Sequence, residues 1–158
     1  MEKIIYADHS ATTYVKKEVL EEMLPYFTKE YGNASSQYKL GGTAKSALEN
    51  SRTKIAHIIG AHSDEIYFTS GGSESDNLII RGIAHALKHK GRHIITSKIE
   101  HLAVLNTCKD LEDEGFCITY LEPDERGFVS CDKVYNAIRP DTILISIMFA
   151  NNEIGTIQ

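Results

Sequence analysis

Apolar residues in the second half of the chain follow two patterns that alternate. Short β-rich runs, such as His93–Ser97 and Thr142–Met148, alternate with stretches in which apolar residues lie three or four positions apart. The first pattern is typical of strands and the second of helices. Their alternation from about residue 64 predicts parallel strands joined by crossover helices, which is an α/β fold.

The predicted strands are Glu65–Thr69, His93–Ser97, Phe116–Leu121 and Thr142–Met148. Because Thr142–Met148 is apolar on both faces, we expect it to be a buried central strand of a parallel sheet. Between the strands we predict two helices with apolar faces and a short third helix that runs from an N-cap at Ser130 to about Ile138. The two faces comprise Leu78, Ile79, Ile83, Ala84 and Leu87, and Val104, Leu105, Cys108 and Leu111.

The first sixty residues differ in pattern, because they predict two amphipathic helices and no strand. A Gly/Ser/Asn-rich stretch, Tyr31–Ser36, separates the two helices, and Gly60 ends the second. We therefore predict an N-terminal helical segment over residues 1–60 and an α/β part over residues 61–158, without a linker between them. The apolar faces are Val19, Leu20, Met23, Leu24 and Phe27 in the first helix, and Ala44, Ala47, Leu48, Ile55, Ile58 and Ile59 in the second.

Composition and charge narrow the functional classes. The 158 residues are 42% hydrophobic and 25% charged, which is the balance of a globular domain. The net charge of -5 argues against a nucleic-acid partner, because binding phosphates requires clustered Lys and Arg. The three cysteines form no Cys-x-x-Cys pair, so neither a disulfide framework nor a metal site is indicated. With no signal peptide and no membrane-spanning run, we expect a cytoplasmic protein without a membrane partner.

The loop Thr69–Ser75 is the strongest candidate for a phosphate site. It lies between a predicted strand and a predicted helix, and Gly71 and Gly72 allow a tight turn. Free amides in the first helical turn and the Ser73 hydroxyl can bind a phosphate at the positive end of the helix dipole. From the loop alone, a simple turn with Ser73 as the helix N-cap is an equally good interpretation.

Two further polar loops follow predicted strands. His101 comes just after His93–Ser97, where an imidazole can stack on a flat ring or exchange protons. Asn151 and Asn152 follow Thr142–Met148, and their amides can donate to a cofactor or substrate. Taken singly, a histidine such as His101 is more often a helix N-terminal or surface residue, and an Asn-Asn pair is equally suited to a turn. Because the carboxyl ends of parallel strands meet at one edge of a sheet, together they predict a ligand site there.

The chain resembles the cysteine desulfurases, which belong to the class V aminotransferase group of fold type I pyridoxal-phosphate enzymes. The motifs that carry the resemblance span the chain: Asp8–Thr13, Tyr31–Ser36, Thr69–Asn77, Ile99–His101 and Asn151–Thr156. Singly each motif is weak, but together and in this order they are highly specific. The resemblance implies a partial doubly wound, mainly parallel sheet, which is the incomplete large domain of the family, with an N-terminal helical segment.

The resemblance also implies roles for single residues. Gly72 and Ser73 would bind the cofactor phosphate, His101 would stack over the pyridine ring and move protons, and Asn152 would contact the cofactor or the substrate carboxylate. Ser73 stands where the family usually has threonine, which keeps the hydroxyl. His9 and Ser10 replace the usual Asn-Ala, and this departure leaves substrate preference open.

By the same resemblance, the complete enzyme would be a homodimer that uses pyridoxal 5'-phosphate to convert L-cysteine to L-alanine. The sulfur would pass to a persulfide, and from there to an iron–sulfur scaffold or another sulfur acceptor. The family's cofactor-binding lysine and nucleophilic cysteine would follow Gln158, so we expect this N-terminal fragment alone to be inactive. Two alternatives remain open: a selenocysteine lyase or other class V enzyme, and a non-catalytic phosphate-binding or dimerisation module.

Overall fold

The computed structural model describes residues 4–158, and within that range it contains five α-helices, one 3-10 helix and three strands. The chain divides into two compact units, one ending at Phe68 and the other running over Thr69–Gln158. The sequence pattern changes earlier, at residue 60. The elements are α1 (Lys17–Thr28), α2 (Lys39–Ile59), a 3-10 helix (Ser63–Glu65), α3 (Gly72–Leu87), β1 (His93–Ser97), α4 (Leu102–Asp113), β2 (Cys117–Leu121), α5 (Cys131–Ala137) and β3 (Thr142–Ser146).

The N-terminal unit contains the two predicted helices. α2 ends at Gly60, whose φ of 70° is left-handed, so the predicted stop is confirmed. The start of α2 packs closely on the preceding loop, because a Cβ on Gly41 would lie 2.5 Å from Ser36 O and 2.7 Å from Asn33 O. In α1 no residue is buried, so its predicted apolar face is exposed.

The prediction of a strand over Glu65–Thr69 is wrong. Glu65 ends the 3-10 helix, and residues 66–68 are not paired in any ladder. A strand requires a neighbour for its backbone groups. Here a side chain takes that role: the guanidinium of Arg52 donates to Ile66 O and lies 4.9 Å from the centre of the Phe68 ring.

The second unit is built on a three-stranded parallel sheet with the order β2-β1-β3. β1 is central, and all five of its residues are buried. β3 lies at an edge of the sheet formed by residues 4–158, and its residues are half-buried or exposed. Within residues 4–158 the central, buried strand is therefore β1 and not Thr142–Met148 as expected, because backbone pairing rather than apolar content decides which strand lies in the centre.

Two helices cover one face of this sheet and form its core. α4 confirms its predicted face, since Val104, Cys108 and Leu111 are buried. In α3 the core face is shifted from the prediction: Ile80 and Ala84 are buried, whereas Leu78 and Ile79 are 57% and 55% exposed. The core consists of Ile80, Ala84, Ile94, Val104, Cys108, Leu111 and Phe116.

His93 joins all three strands through its side chain. Its Nδ1 lies 2.7 Å from Thr142 Oγ1 in β3, and its Nε2 lies 2.8 Å from Thr119 Oγ1 in β2. The side chain is fully buried. Burial, together with the positive charge of Arg139, lowers the pKa of His93 below its usual 6.5.

This lowered pKa predicts acid sensitivity of the fold. Below about pH 6.5 the unfolded chain binds a proton that folded His93 resists, so the free energy of unfolding should fall as the pH falls through that range. In urea unfolding followed by circular dichroism between about pH 8 and about pH 5, His93→Leu should weaken this dependence. It should also cost about 1–3 kcal/mol near neutral pH, because two threonine hydroxyls lose their partner.

The control is His89→Leu, the same substitution at an exposed histidine. It should change neither the stability nor its pH dependence beyond about 0.5 kcal/mol. Equal pH dependence in the His93→Leu variant and the unsubstituted chain would contradict the assignment.

Candidate functional site

A cleft of about 530 Å³ opens at the carboxyl ends of β1 and β3. The chain leaving β1 turns through α4 towards β2, away from β3, and open α/β sheets bind ligands at such a divergence. One wall is the loop after β1, and the other is the loop after β3. The lining residues are Lys98, Ile99, Glu100, His101, Leu102, Met148, Asn151, Asn152, Glu153 and Ile154.

His101 occupies the first position before α4, and its ring is exposed at the cleft. Nδ1 accepts a hydrogen bond from the Ala103 N–H at 3.0 Å, so the ring caps the helix. Because Nδ1 is the acceptor, the neutral ring carries its proton on Nε2. His101 therefore combines the two roles that the sequence left as alternatives: it begins a helix, and it also lines the cleft.

The two adjacent asparagines of the second loop differ in environment. Asn151 is buried, and its amide bonds to three backbone groups and to the Met148 sulfur. Asn152 is exposed, lines the cleft, and its side chain makes no hydrogen bond to any residue in the range 4–158. Of the pair, Asn152 thus has the amide that is available to a ligand.

The loop before α3 leaves its backbone open. Gly71 is the N-cap and the helix begins at Gly72, so the alternative in which Ser73 is the N-cap is wrong. A Cβ on Gly71 or on Gly72 would have no atom within 4 Å. Glu74 reaches back to accept from the N–H and the hydroxyl of Ser70, both at 2.6 Å, and these bonds lower the pKa of Glu74.

This arrangement suits an anion. Glu74 and Ser70 hold the turn, and Gly72 and Ser73, whose amides lie in the first turn of α3, are exposed. Within the described residues the Ser73 hydroxyl makes no hydrogen bond. The structure thus brings His101 and Asn152 into one cleft, and it places Gly72 and Ser73 at the start of α3, outside the lining of that cleft.

Sequence reasoning missed the structural role of two residues at the site: it assigned no role to Glu100, and it treated Asn151 as a ligand-binding amide like Asn152. Both are 92% buried, since each is 8% exposed, and both bond across the cleft loops. The sequence contained a signal for Glu100. It follows a predicted strand that packs in the core, and a carboxylate buried beside such a strand requires hydrogen-bond donors. No such signal separates Asn151 from Asn152, because only the turn of the loop decides which amide is buried.

Comparison with known proteins agrees with this fold. Residues 5–158 match the family described as aminotransferase class-V. The chain belongs to the class-V aminotransferase family. The match covers both units, so the N-terminal helices and the α/β sheet are both parts of the family's fold.

Among class-V aminotransferase relatives, "Cysteine desulfurase IscS" of Methanosarcina thermophila is 62% identical over 156 residues, which are 99% of this chain and 39% of that protein. A solved "NIFS-like protein" superposes with a TM-score of 0.93 at 43% identity, covering 96% of this chain and 42% of its own. A structure described as "SspA in complex with cysteine" superposes with a TM-score of 0.92 at 46% identity, and the match covers 97% of this chain and 44% of that one. The chain thus spans about two fifths of the length of these relatives.

The three cysteines differ in how accessible their thiols are. Cys108 is fully buried in the core, and burial raises its pKa to about 11. Cys117 is exposed and accepts a hydrogen bond from Arg139 Nη1 at 3.1 Å, and Cys131 is exposed at the start of α5. Because the thiolate is the reactive form, Cys108 cannot act as a nucleophile near neutral pH.

Thiol labelling tests this difference. Iodoacetamide at about pH 7.5 should alkylate Cys117 and Cys131 in the folded chain and leave Cys108 unmodified, because Cys108 is both buried and protonated. Peptide mass spectrometry identifies the sites. All three should react in urea, which serves as the control, and rapid labelling of Cys108 in the folded chain would contradict the core described above.

Proposed function

We propose that the complete protein is a pyridoxal-phosphate-dependent cysteine desulfurase. It would convert L-cysteine to L-alanine and pass the sulfur, as an enzyme persulfide, towards iron–sulfur cluster or thionucleoside synthesis. The observation that carries this proposal is the cleft in which the free Nε2–H side of His101 and the free amide of Asn152 line one wall each. The 62% identity to a protein named cysteine desulfurase supports the choice of reaction.

The residues present fit the proposed cofactor. Its phosphate requires amide donors without side chains in the way, and Gly71 and Gly72 leave that approach open. Its flat ring suits an exposed imidazole such as His101, and its polar substituents suit the free amide of Asn152. Ser73 would add a hydroxyl donor to the phosphate.

When bound, pyridoxal phosphate supplies an electron-withdrawing ring that stabilises negative charge on the amino-acid substrate. The residues of this chain would bind and orient. Ser73 and the first amides of α3 would hold the phosphate through charge-assisted hydrogen bonds. His101 would pack against the ring, with its proton held on Nε2, since Nδ1 is engaged with Ala103 N–H. Asn152 would donate from its amide and so fix the rotation of the ring.

We propose that the remaining catalytic groups lie in the part of the relatives' length that this chain does not cover. Two features of the described residues support this. Cys108 is buried and protonated, so it cannot carry sulfur, and the exposed Cys117 and Cys131 are not among the residues that line the cleft. Lys98, although it lines the cleft, forms an ion pair with Glu122, which keeps its ammonium occupied. The 158 residues alone would then bind the cofactor without turning over cysteine.

We also propose that the complete protein is a cytoplasmic homodimer that delivers sulfur to an acceptor protein such as an iron–sulfur scaffold. Three free cysteines in the chain are in keeping with a reducing compartment. The exposed apolar side chains of α1 offer surface for burial in a larger assembly. No helix in residues 4–158 is long and apolar enough to cross a membrane.

Cofactor binding is the first test. Titrating the chain with pyridoxal phosphate, monitored by absorbance, should show saturable binding. Ser73→Ala and His101→Ala should each weaken it about tenfold or more, since each removes a contact to a charged or aromatic group. Ser63→Ala and His89→Ala, at exposed positions that are not among the lining residues of the cleft, are the matched controls and should bind as tightly as the unsubstituted chain. Unchanged affinity in both site variants would contradict the proposal.

A second test asks whether a lysine of this chain takes the covalent role. After treatment with pyridoxal phosphate and reduction with borohydride, mass spectrometry should find no specific adduct at Lys98, because Glu122 pairs with its ammonium. Free exposed lysines elsewhere serve as the measure of non-specific labelling. A saturable adduct at one lysine would mean that the chain contains its own covalent residue, and the division of roles proposed above would be wrong.

A further inference from the structure

Glu100 bonds both loops of the cleft through one oxygen atom. Its Oε1 accepts from Ser97 Oγ at 2.6 Å and from the Met148 N–H at 2.8 Å. The first bond closes the turn after β1, and the second reaches the chain that follows β3. Burying a carboxylate is costly unless donors satisfy it, so these bonds must persist in the folded state. No cation within the described residues pairs with Glu100, and the nearby Lys98 pairs with Glu122 instead.

Asn151 makes a second connection between the same loops. Its Nδ2 donates to Ile99 O at 3.1 Å, across the cleft. Its Oδ1 accepts from the N–H groups of Glu153 and Ile154, at 2.8 and 3.1 Å, within its own loop. The one buried side chain thus attaches the loop to its neighbour and also shapes the turn that carries Asn152.

Each of these two residues is followed directly by a candidate ligand group: Glu100 by His101, and Asn151 by Asn152. Neither His101 nor Asn152 bonds to the opposite loop through its own side chain within residues 4–158. The separation of the two groups is therefore set by the backbones, and the backbones are joined by Glu100 and Asn151. A site holds its geometry only when such supporting contacts fix it.

We propose that Glu100 and Asn151 form a latch, a pair of positioning residues that set the separation of His101 and Asn152. The two loops are joined by the acceptor oxygen of Glu100 and not by its negative charge. The identity of the ligand that benefits, pyridoxal phosphate, rests on the proposed function. The existence of the latch does not, since its bonds form without a ligand.

The test compares three variants with a control. Glu100→Ala removes the acceptor, Glu100→Gln keeps an amide oxygen in its place, and Asn151→Asp removes the donor to Ile99 O while keeping the acceptor for Glu153 and Ile154. The control is Glu125→Ala, at an exposed carboxylate in the turn after β2. Two quantities are measured: amide hydrogen exchange of Met148, Glu153 and Ile154 in the ligand-free chain, and the dissociation constant for pyridoxal phosphate.

We expect Glu100→Ala to raise the exchange rate of the Met148 amide about tenfold and to weaken pyridoxal phosphate binding about tenfold, the effect of losing a buried acceptor. Glu100→Gln should restore both to within about threefold of the unsubstituted chain. Asn151→Asp should weaken binding similarly while Glu153 and Ile154 stay protected. It also tests the latch where Glu100→Ala does not fold.

Unchanged exchange of the Met148 amide in Glu100→Ala, together with unchanged affinity in Glu100→Ala and Asn151→Asp, would overturn the latch. Failure of Glu100→Gln to restore either quantity would assign the effect to charge and would also overturn it. If the unsubstituted chain does not bind pyridoxal phosphate, the proposed function fails, and the exchange of the Met148 amide still decides the latch. Tighter binding in Glu100→Ala would mean that the latch holds the cleft in an unfavourable form, contrary to the proposal.

Discussion

Burial of β1 between β2 and β3 is the constraint on which the α/β unit depends. All five residues of β1 are buried and its ladder is paired on both sides, so the strand has one possible position. The fixed position of β1 also fixes where the following loop begins, and Glu100 and His101 lie within four residues of Ser97. Functional side chains on loops are useful when a rigid element places them, and here β1 is that element.

The interior of this sheet is polar as well as apolar, and almost every polar group has a partner. His93 bonds to threonines on both neighbouring strands, and Ser97 bonds to Glu100. Such bonds are directional, so they specify register and loop position where apolar packing alone would allow several arrangements. The exception within residues 4–158 is the Thr96 hydroxyl, which is buried without a partner.

Local pattern and long-range pairing contributed differently to what could be predicted. The positions of β1, α4 and the Ser130 cap were predictable, because periodicity and capping chemistry act within a few residues. The absence of a strand over Glu65–Thr69 was not predictable, because it depends on a partner distant in sequence: Ile66 O accepts from Arg52, and residues 66–68 pair in no ladder. The centre of the sheet in residues 4–158 also depends on long-range pairing: Thr142–Met148 is the more apolar run, yet His93–Ser97 is the strand with neighbours on both sides.

The sequence by itself determined the α/β class, the helix and loop positions, and the family motifs that contain His101 and Asn152, because these depend on residue type and spacing. Only the tertiary structure decided that Asn151 is buried while Asn152 faces the cleft, and that Glu100 joins two loops 48 positions apart in the chain. The reason is physical. A buried polar group takes its role from the partners that folding brings to it, and those partners are not its neighbours in sequence.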